Sequence, residues 1–341
     1  MSTTATPLHT DHTIDTEPIP TLDAIAAQHF ALAPWVLRTP VFERHDFPSL
    51  EGTSVNFKFE LLQASGSFKV RGAFTNLLAL DSAQRSAGVI CVSGGNHAAA
   101  VAYAAMRLGT NAKVVMFRTA SPARVALCKQ YGAEVVMAGT PAEAFELVRR
   151  IEAEEGRFFV HPFNGYRTIL GTATLGYEWA TQTPDVDAVI VPIGGGGLAA
   201  GVSTALRLAN PRVHVYGVEP EGADVMSRSF AANHPLKIGA MHTIADSLMA
   251  PYTEQYSYEL CRRHIDRLVT VTDDELRAAM LKLFMQLKLA VEPACAAATA
   301  ALLGPLRETL QGKRVGVLLC GTNTDPKTLS AQLQLAASTH A

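Results

Sequence analysis

The chain has 341 residues, 48% of them hydrophobic and 18% charged, with a formal net charge of −2. That much apolar material fills a sizeable core and argues against a disordered chain, while the near-neutral balance leaves no electrostatic case for nucleic acid or an anionic membrane as partner. Five cysteines (Cys91, Cys128, Cys261, Cys295, Cys320) are odd in number, widely spaced and without a C-x-x-C pair, which argues against a disulfide framework or a zinc site and fits a reducing cytoplasm.

Residues 1–20 are rich in Thr, Pro and His, lack the basic-then-apolar order of a signal peptide, and read as a flexible tail. No apolar run reaches membrane-spanning length. Beyond the tail, short β-branched runs alternate with amphipathic stretches, so the predicted fold class is α/β, with mostly parallel sheets flanked by helices. Residues 89–92 read as a strand, 93–97 as a tight loop and 98–108 as a helix. Strand 113–117, helix 122–131, strand 134–137, helix 141–154 and strand 157–160 complete a first block. A second block holds helix 169–181, strand 188–192, helix 198–209 and strand 213–218. Helix 274–287, strand 314–319 and helix 326–335 follow.

Of nine lysines, Lys69 alone lies in Ser65-Gly66-Ser67-Phe68-Lys69-Val70-Arg71-Gly72-Ala73. An amine taken out of water loses its preference for the charged form and becomes a nucleophile and a base, which suits covalent capture of a carbonyl compound. Taken singly, Lys69 reads better as a solvated lysine on a helix face. Two glycine-rich loops change that balance.

The first runs Pro192-Ile193-Gly194-Gly195-Gly196-Gly197-Leu198, straight from a strand into a helix. Glycines let the backbone come close to a ligand, and the helix start turns amides toward an anion, so the loop reads as a phosphate cradle. A nicotinamide site competes: Gly194-x-Gly196-x-x-Ala199 loosely matches the dinucleotide fingerprint, and Glu219 ends the next strand where a ribose-binding acid belongs. The second loop, Ser93-Gly94-Gly95-Asn96-His97, also joins strand to helix and offers backbone amides and the Asn96 amide to a carboxylate. His97 could act as a general base, but a histidine opening a helix is better read as a capping or packing residue. Cys320 follows strand 314–319 with no activating base in view, and reads as a neutral hydrogen-bond partner rather than a nucleophile. The remaining histidines show no metal-binding spacing.

Taken together, a lysine among small residues, a phosphate cradle and a carboxylate loop suit pyridoxal 5'-phosphate acting on an amino acid. The chain resembles the serine/threonine dehydratase family, fold type II pyridoxal-phosphate enzymes that include serine racemase. The resemblance runs from about residue 22 to 335. It rests on Lys58-x-Glu60-x-x-Gln63, Ser67-Phe68-Lys69-x-Arg71-Gly72-Ala73, Gly95-Asn96-His97, His161-Pro162-Phe163 and the tetraglycine loop, then on Gly217-Val218-Glu219-Pro220, Thr243-Ile244-Ala245-Asp246 and Gly321-x-Asn323.

This resemblance implies that Lys69 holds the cofactor and takes the substrate Cα proton. It implies that Phe68 packs near the cofactor ring, Asn96 bonds its 3′-oxygen, Gly194, Gly195, Gly196 and Gly197 hold the phosphate, and Cys320 faces the pyridine nitrogen. Ser93, Gly94, Asn96 and His97 would surround the substrate carboxylate. It also implies two domains sharing a cleft, a large one of residues 21–85 and 158–335 and a small mobile one of 86–157, and a homodimer. Four positions depart from relatives. A thiol at Cys320 makes the ring a weaker electron sink, which favours elimination. Gly94 stands where serine racemase carries a serine on the opposite face of Cα, which disfavours racemisation. Val225 replaces an aspartate of divalent-metal relatives, leaving Glu219 and the Ala223 carbonyl as a monovalent-cation site. Thr172 and Ser247 replace a common glutamine and glycine.

The expected activity is α,β-elimination from a β-hydroxy amino acid to a 2-oxo acid and ammonia, with L-threonine and L-serine as default substrates. The alternatives are a dehydratase for a larger or acidic substrate such as phenylserine or 3-hydroxyaspartate, an NAD-dependent oxidoreductase, and a silent amino-acid-binding protein.

Overall fold

Strands of Val, Ile and Leu that are buried on both faces need helices on both sides, and this chain builds two such sheets. The computed structural model describes residues 13–47 and 51–339. Six strands form one sheet in the order Arg267–Val271, His214–Pro220, Ala188–Pro192, Arg314–Leu319, Ser54–Phe59, Val41–Arg44, all parallel except the last. Four parallel strands form the other, in the order Glu134–Ala138, Ala112–Phe117, Val89–Val92, Phe158–Phe159. In the larger sheet Val317 stands opposite both Ile190 and Phe57, so strands far apart in sequence are neighbours. Such a switch in strand order opens a crevice at the carboxyl ends of the strands, where α/β sheets take ligands. The α/β class is as expected. No helix among the described residues is long and apolar enough to cross a membrane.

Element types follow the sequence reading, with shifted ends. The helix after the Ser93–His97 loop starts at Asn96 rather than 98, and the helix expected over 169–181 spans Tyr166–Gln182. The flexible tail expected over residues 1–20 needs correction where the structure describes it. Thr13–Ile14 and Glu17–Pro18 pair as a small antiparallel hairpin. Ile14 is buried, the Glu17 carboxylate accepts from Tyr166 N at the start of helix Tyr166–Gln182, and Tyr256 Oη donates to the Pro18 carbonyl at 2.6 Å. A carboxylate at a helix N-terminus satisfies an amide that has no intrahelical acceptor, so this stretch is docked.

Helix Lys69–Leu78 joins the two sheets. The sequence reading places it with the larger sheet, but Val70, Ala73, Phe74 and Leu77 share a core with Val89, Cys91 and Val101 of the smaller one. Its opposite side lies on helix Tyr166–Gln182, where Gly72 faces Gly171. A Cβ on Gly171 would lie 2.6 Å from Gly72 Cα, so the two backbones meet where neither residue has a side chain. Gly171→Ala is expected to cost about 1–3 kcal/mol by overpacking, read as a lower midpoint in urea unfolding. An unchanged midpoint would show that the helices can part without penalty.

Candidate active site

Lys69 begins its helix, and four buried charges set where that helix begins. Arg71 Nε and Nη2 each donate to the Glu60 carboxylate at 2.8 Å, and Nη2 reaches Glu178 Oε2 at 3.1 Å. Lys58 Nζ donates to Glu178 Oε1 at 2.5 Å, and to the Thr39 carbonyl and Gln182 Oε1 at 2.8 Å each. No side chain of the four is more than 1% exposed. Burial pushes the Glu178 carboxyl up, but Arg71 and Lys58 beside it bring it below its ordinary value. For Lys58 burial wins, and the amine is lowered despite Glu60 and Glu178.

From that base the chain ahead of Lys69 is stitched to the end of strand Arg314–Leu319. Phe68 N donates to the Cys320 carbonyl at 3.1 Å, and Thr322 N to the Gly66 carbonyl at 2.9 Å. Asn323 Nδ2 donates to the Ser65 carbonyl at 2.8 Å. Cys320 is thereby held next to Lys69. A hydrogen bond with Cys295 and burial push its thiol well up, so it is neutral at physiological pH. The Lys69 amine donates to the Pro162 carbonyl and lies 5.2 Å from the centre of the Phe68 ring. Burial lowers its pKa to about 8, with Cys320 and Glu292 offsetting only part of that fall. A usable share of the amine is therefore neutral near pH 8.

The tetraglycine loop leaves strand Ala188–Pro192 and enters helix Gly197–Ala209. Gly196 has φ 103°, a conformation that favours glycine, and a Cβ on Gly195 would collide with the Phe163 ring. Thr172 Oγ1 donates to the Gly197 carbonyl at 2.7 Å and braces the loop from helix Tyr166–Gln182. The first amides of the following helix have no acceptor within it, so the loop can hold an anion.

In the second loop Ser93 Oγ accepts from Gly95 N at 3.1 Å. Asn96 Nδ2 donates to Glu292 Oε1 at 2.6 Å, and its Oδ1 accepts from Asn323 Nδ2 at 2.7 Å. One Asn96 amide hydrogen remains for another acceptor. His97 bonds the Val160 carbonyl at 2.8 Å, and burial lowers its pKa to about 3, so it is a neutral, packed ring. Phe68, Lys69, His97 and Gly197 meet around one small cavity, lined also by Gly72, Ala73, His161, Pro162, Thr168, Thr172 and Leu198. Ser93, Gly94 and Asn96 belong to the same loop as His97.

Glu219 and Ala223 lie away from this cavity. Both Glu219 oxygens accept hydrogen bonds at the start of helix Val225–Ala232, from Met226 N at 2.8 Å, Ser227 N at 2.7 Å and Ser227 Oγ at 2.6 Å. Burial still raises its pKa to about 7. Among the described residues no group of three or more His, Cys, Asp or Glu could hold a metal ion.

Sequence reasoning missed two residues here. Glu292, ahead of helix Pro293–Leu303, is buried with Oε2 unpartnered, and burial raises it to about 7 even though Arg124 and Asn96 pull it down. Arg124, on helix Pro122–Gln130 beside the smaller sheet, reaches across to the Asp246 carboxylate and donates to the Asn323 carbonyl at 2.9 Å. Its Nη2 stands 3.8 Å from Glu292. A lone acid between a short apolar stretch and Pro293 was the only signal for Glu292; nothing singled out Arg124.

A captive amine of low pKa, an anion cradle and an amide-rich loop, all at the carboxyl ends of parallel strands, define an enzyme that holds a phosphorylated aldehyde. The chain belongs to the family described as pyridoxal-phosphate dependent enzyme, whose model matches residues 32–321, and it is a lyase of that family. It is 69% identical to the phenylserine dehydratase of Ralstonia pickettii over 322 residues, covering 94% of this chain and 99% of the relative. It is 36% identical to the L-threonine ammonia-lyase of Thermotoga maritima over 306 residues, covering 89% and 76%. Among solved structures, maize serine racemase aligns with a TM-score of 0.87 and 34% identity, over 94% of this chain and 98% of that one. These findings remove the nicotinamide alternative. They also correct the order of substrates: phenylserine, the alternative, is better supported than threonine or serine.

The residues present fit pyridoxal phosphate. The glycine loop offers amides without side chains, Lys69 offers an amine, and the buried Oγ of Ser67 and Oε2 of Glu292 have no hydrogen-bond partner within the chain. An amine of pKa about 8 is neutral above that pH and charged below it. Cofactor uptake by the apoprotein is therefore expected to quicken as pH rises through about 8 and then level off, in stopped-flow absorbance. A rate still climbing toward 10.5, the ordinary lysine value, would contradict the burial of this amine.

Proposed function

We propose that this protein dehydrates a β-hydroxy amino acid bearing an aryl group, phenylserine or a near analogue, to a 2-oxo acid and ammonia. The observation that carries the reading is the 69% identity to a phenylserine dehydratase across 94% of the chain, against 36% for a threonine ammonia-lyase. The geometry supports the reaction type. Lys69, neutral above about pH 8, would hold the cofactor aldehyde and, once released by the substrate amine, would take the Cα proton. When bound, pyridoxal phosphate supplies the electron-withdrawing ring that makes this proton removable.

The chain's part is orientation and charge. Gly194 to Gly197 and the start of helix Gly197–Ala209 would hold the phosphate. The free Asn96 amide hydrogen would serve the 3′-oxygen, and Ser93, Gly94, Asn96 and His97 would surround the substrate carboxylate. The neutral Cys320 thiol would face the pyridine nitrogen without keeping it protonated, which would make the ring a weaker electron sink and favour prompt loss of the β-hydroxyl. Loss of the Cα proton and the hydroxyl removes one water. Hydrolysis of the released enamine gives the 2-oxo acid and ammonia. Gly94 carries no acid or base for the opposite face of Cα, which supports elimination over racemisation.

Lys69→Ala is expected to lower turnover by at least about 100-fold while the far-ultraviolet circular dichroism stays unchanged. For the wild type, kcat/KM for phenylserine, followed as phenylpyruvate, is expected to exceed that for threonine by at least about tenfold. Equal efficiencies would restore threonine and serine as the substrates.

A further inference from the structure

A string of half-buried aromatic rings leads outward from Lys69. The Lys69 amine bonds the Pro162 carbonyl, and the residues on either side, His161 and Phe163, set their rings edge-to-face with centroids 4.7 Å apart. Phe163 is fixed by its carbonyl, which accepts from Ser257 Oγ at 2.7 Å, and by the glycine loop against its ring. Tyr252 stands edge-on to it at 5.5 Å, and Phe145 lies 6.3 Å beyond Tyr252. Phe145 comes from helix Pro141–Glu155 beside the smaller sheet, while Phe163 and Tyr252 belong to segments around the larger one. The string thus runs from His161 on the cavity lining to a helix beside the smaller sheet, and Phe145, Phe163 and Tyr252 all keep some surface free for contact.

We propose that Phe145, Phe163 and Tyr252 form the subsite that receives the aryl group of the substrate. The inference rests on the aryl reading above and adds the residues that select for it. A substrate whose Cα lies within reach of the Lys69 amine would direct its β-substituent along this string of rings. A phenyl ring there meets the edges and faces of three aromatic side chains, the arrangement aromatic pairs prefer. A methyl group in the same place makes far less contact with those rings.

The test compares kcat/KM for phenylserine and for threonine in the holoenzyme, with Phe145→Leu, Tyr252→Leu and Tyr252→Phe as variants. Each leucine variant is expected to lower the phenylserine-to-threonine ratio by about tenfold or more, mainly through a higher KM for phenylserine. Tyr252→Phe keeps the ring and should keep the ratio. L-Phenylalanine, which has no β-hydroxyl to lose, should perturb the cofactor absorbance of the wild type at concentrations about tenfold lower than in the leucine variants. The cofactor band of each variant shows that it is folded and loaded. A wild type that prefers phenylserine, with leucine variants of unchanged ratio, overturns the subsite and leaves the aryl reading standing. A wild type that prefers threonine overturns both.

Discussion

Everything at this site depends on the ion cluster of Lys58, Glu60, Arg71 and Glu178. Clusters of this kind contribute little net stability, because removing charges from water costs about as much as their attraction returns. What this one provides is position. Arg71 lies two residues after Lys69, and its planar fork grips Glu60 and Glu178 from fixed directions. Glu60 follows strand Ser54–Phe59 and Glu178 lies on helix Tyr166–Gln182, so strand, helix and reactive lysine are referred to one point.

Around that point each loop has a separate chemical duty. The glycine loop manages negative charge through backbone amides, the Ser93–His97 loop through amides and one side chain, and the Cys320 segment by being neutral. Glu292 joins the last two, bonding Asn96 on one oxygen and leaving the other unsatisfied. Buried carboxyls without full pairing are rare because of their desolvation cost, and they gather at functional sites. That Glu292 was not anticipated shows how much of the electrostatics comes from the fold rather than from motifs.

The smaller sheet and three strands of the larger one were legible in the sequence because their β-branched runs alternate with amphipathic helices. Helix Pro293–Leu303 was not, since it is alanine-rich and buried on every side, and without a polar face there is no helical period to detect. Strand Ser54–Phe59 was hidden for the opposite reason: Asn56 and Lys58 look solvated until Glu178 and the Thr39 carbonyl are placed beside the lysine. The lysine and glycine motifs stood out because their spacing is specific. The aromatic string did not, for Phe145, Phe163 and Tyr252 are scattered over more than a hundred residues and meet only in three dimensions.

The two sets of charges near Lys69 differ in their contact with solvent. The Lys58–Arg71 cluster is sealed, whereas Arg124 meets an Asp246 whose side chain is 48% exposed. Dissolved ions screen charges they can approach and scarcely reach those they cannot. Ionic strength therefore distinguishes the two regions, loosening the bridge at the mouth of the cleft while the seat of the reactive amine stays as it was.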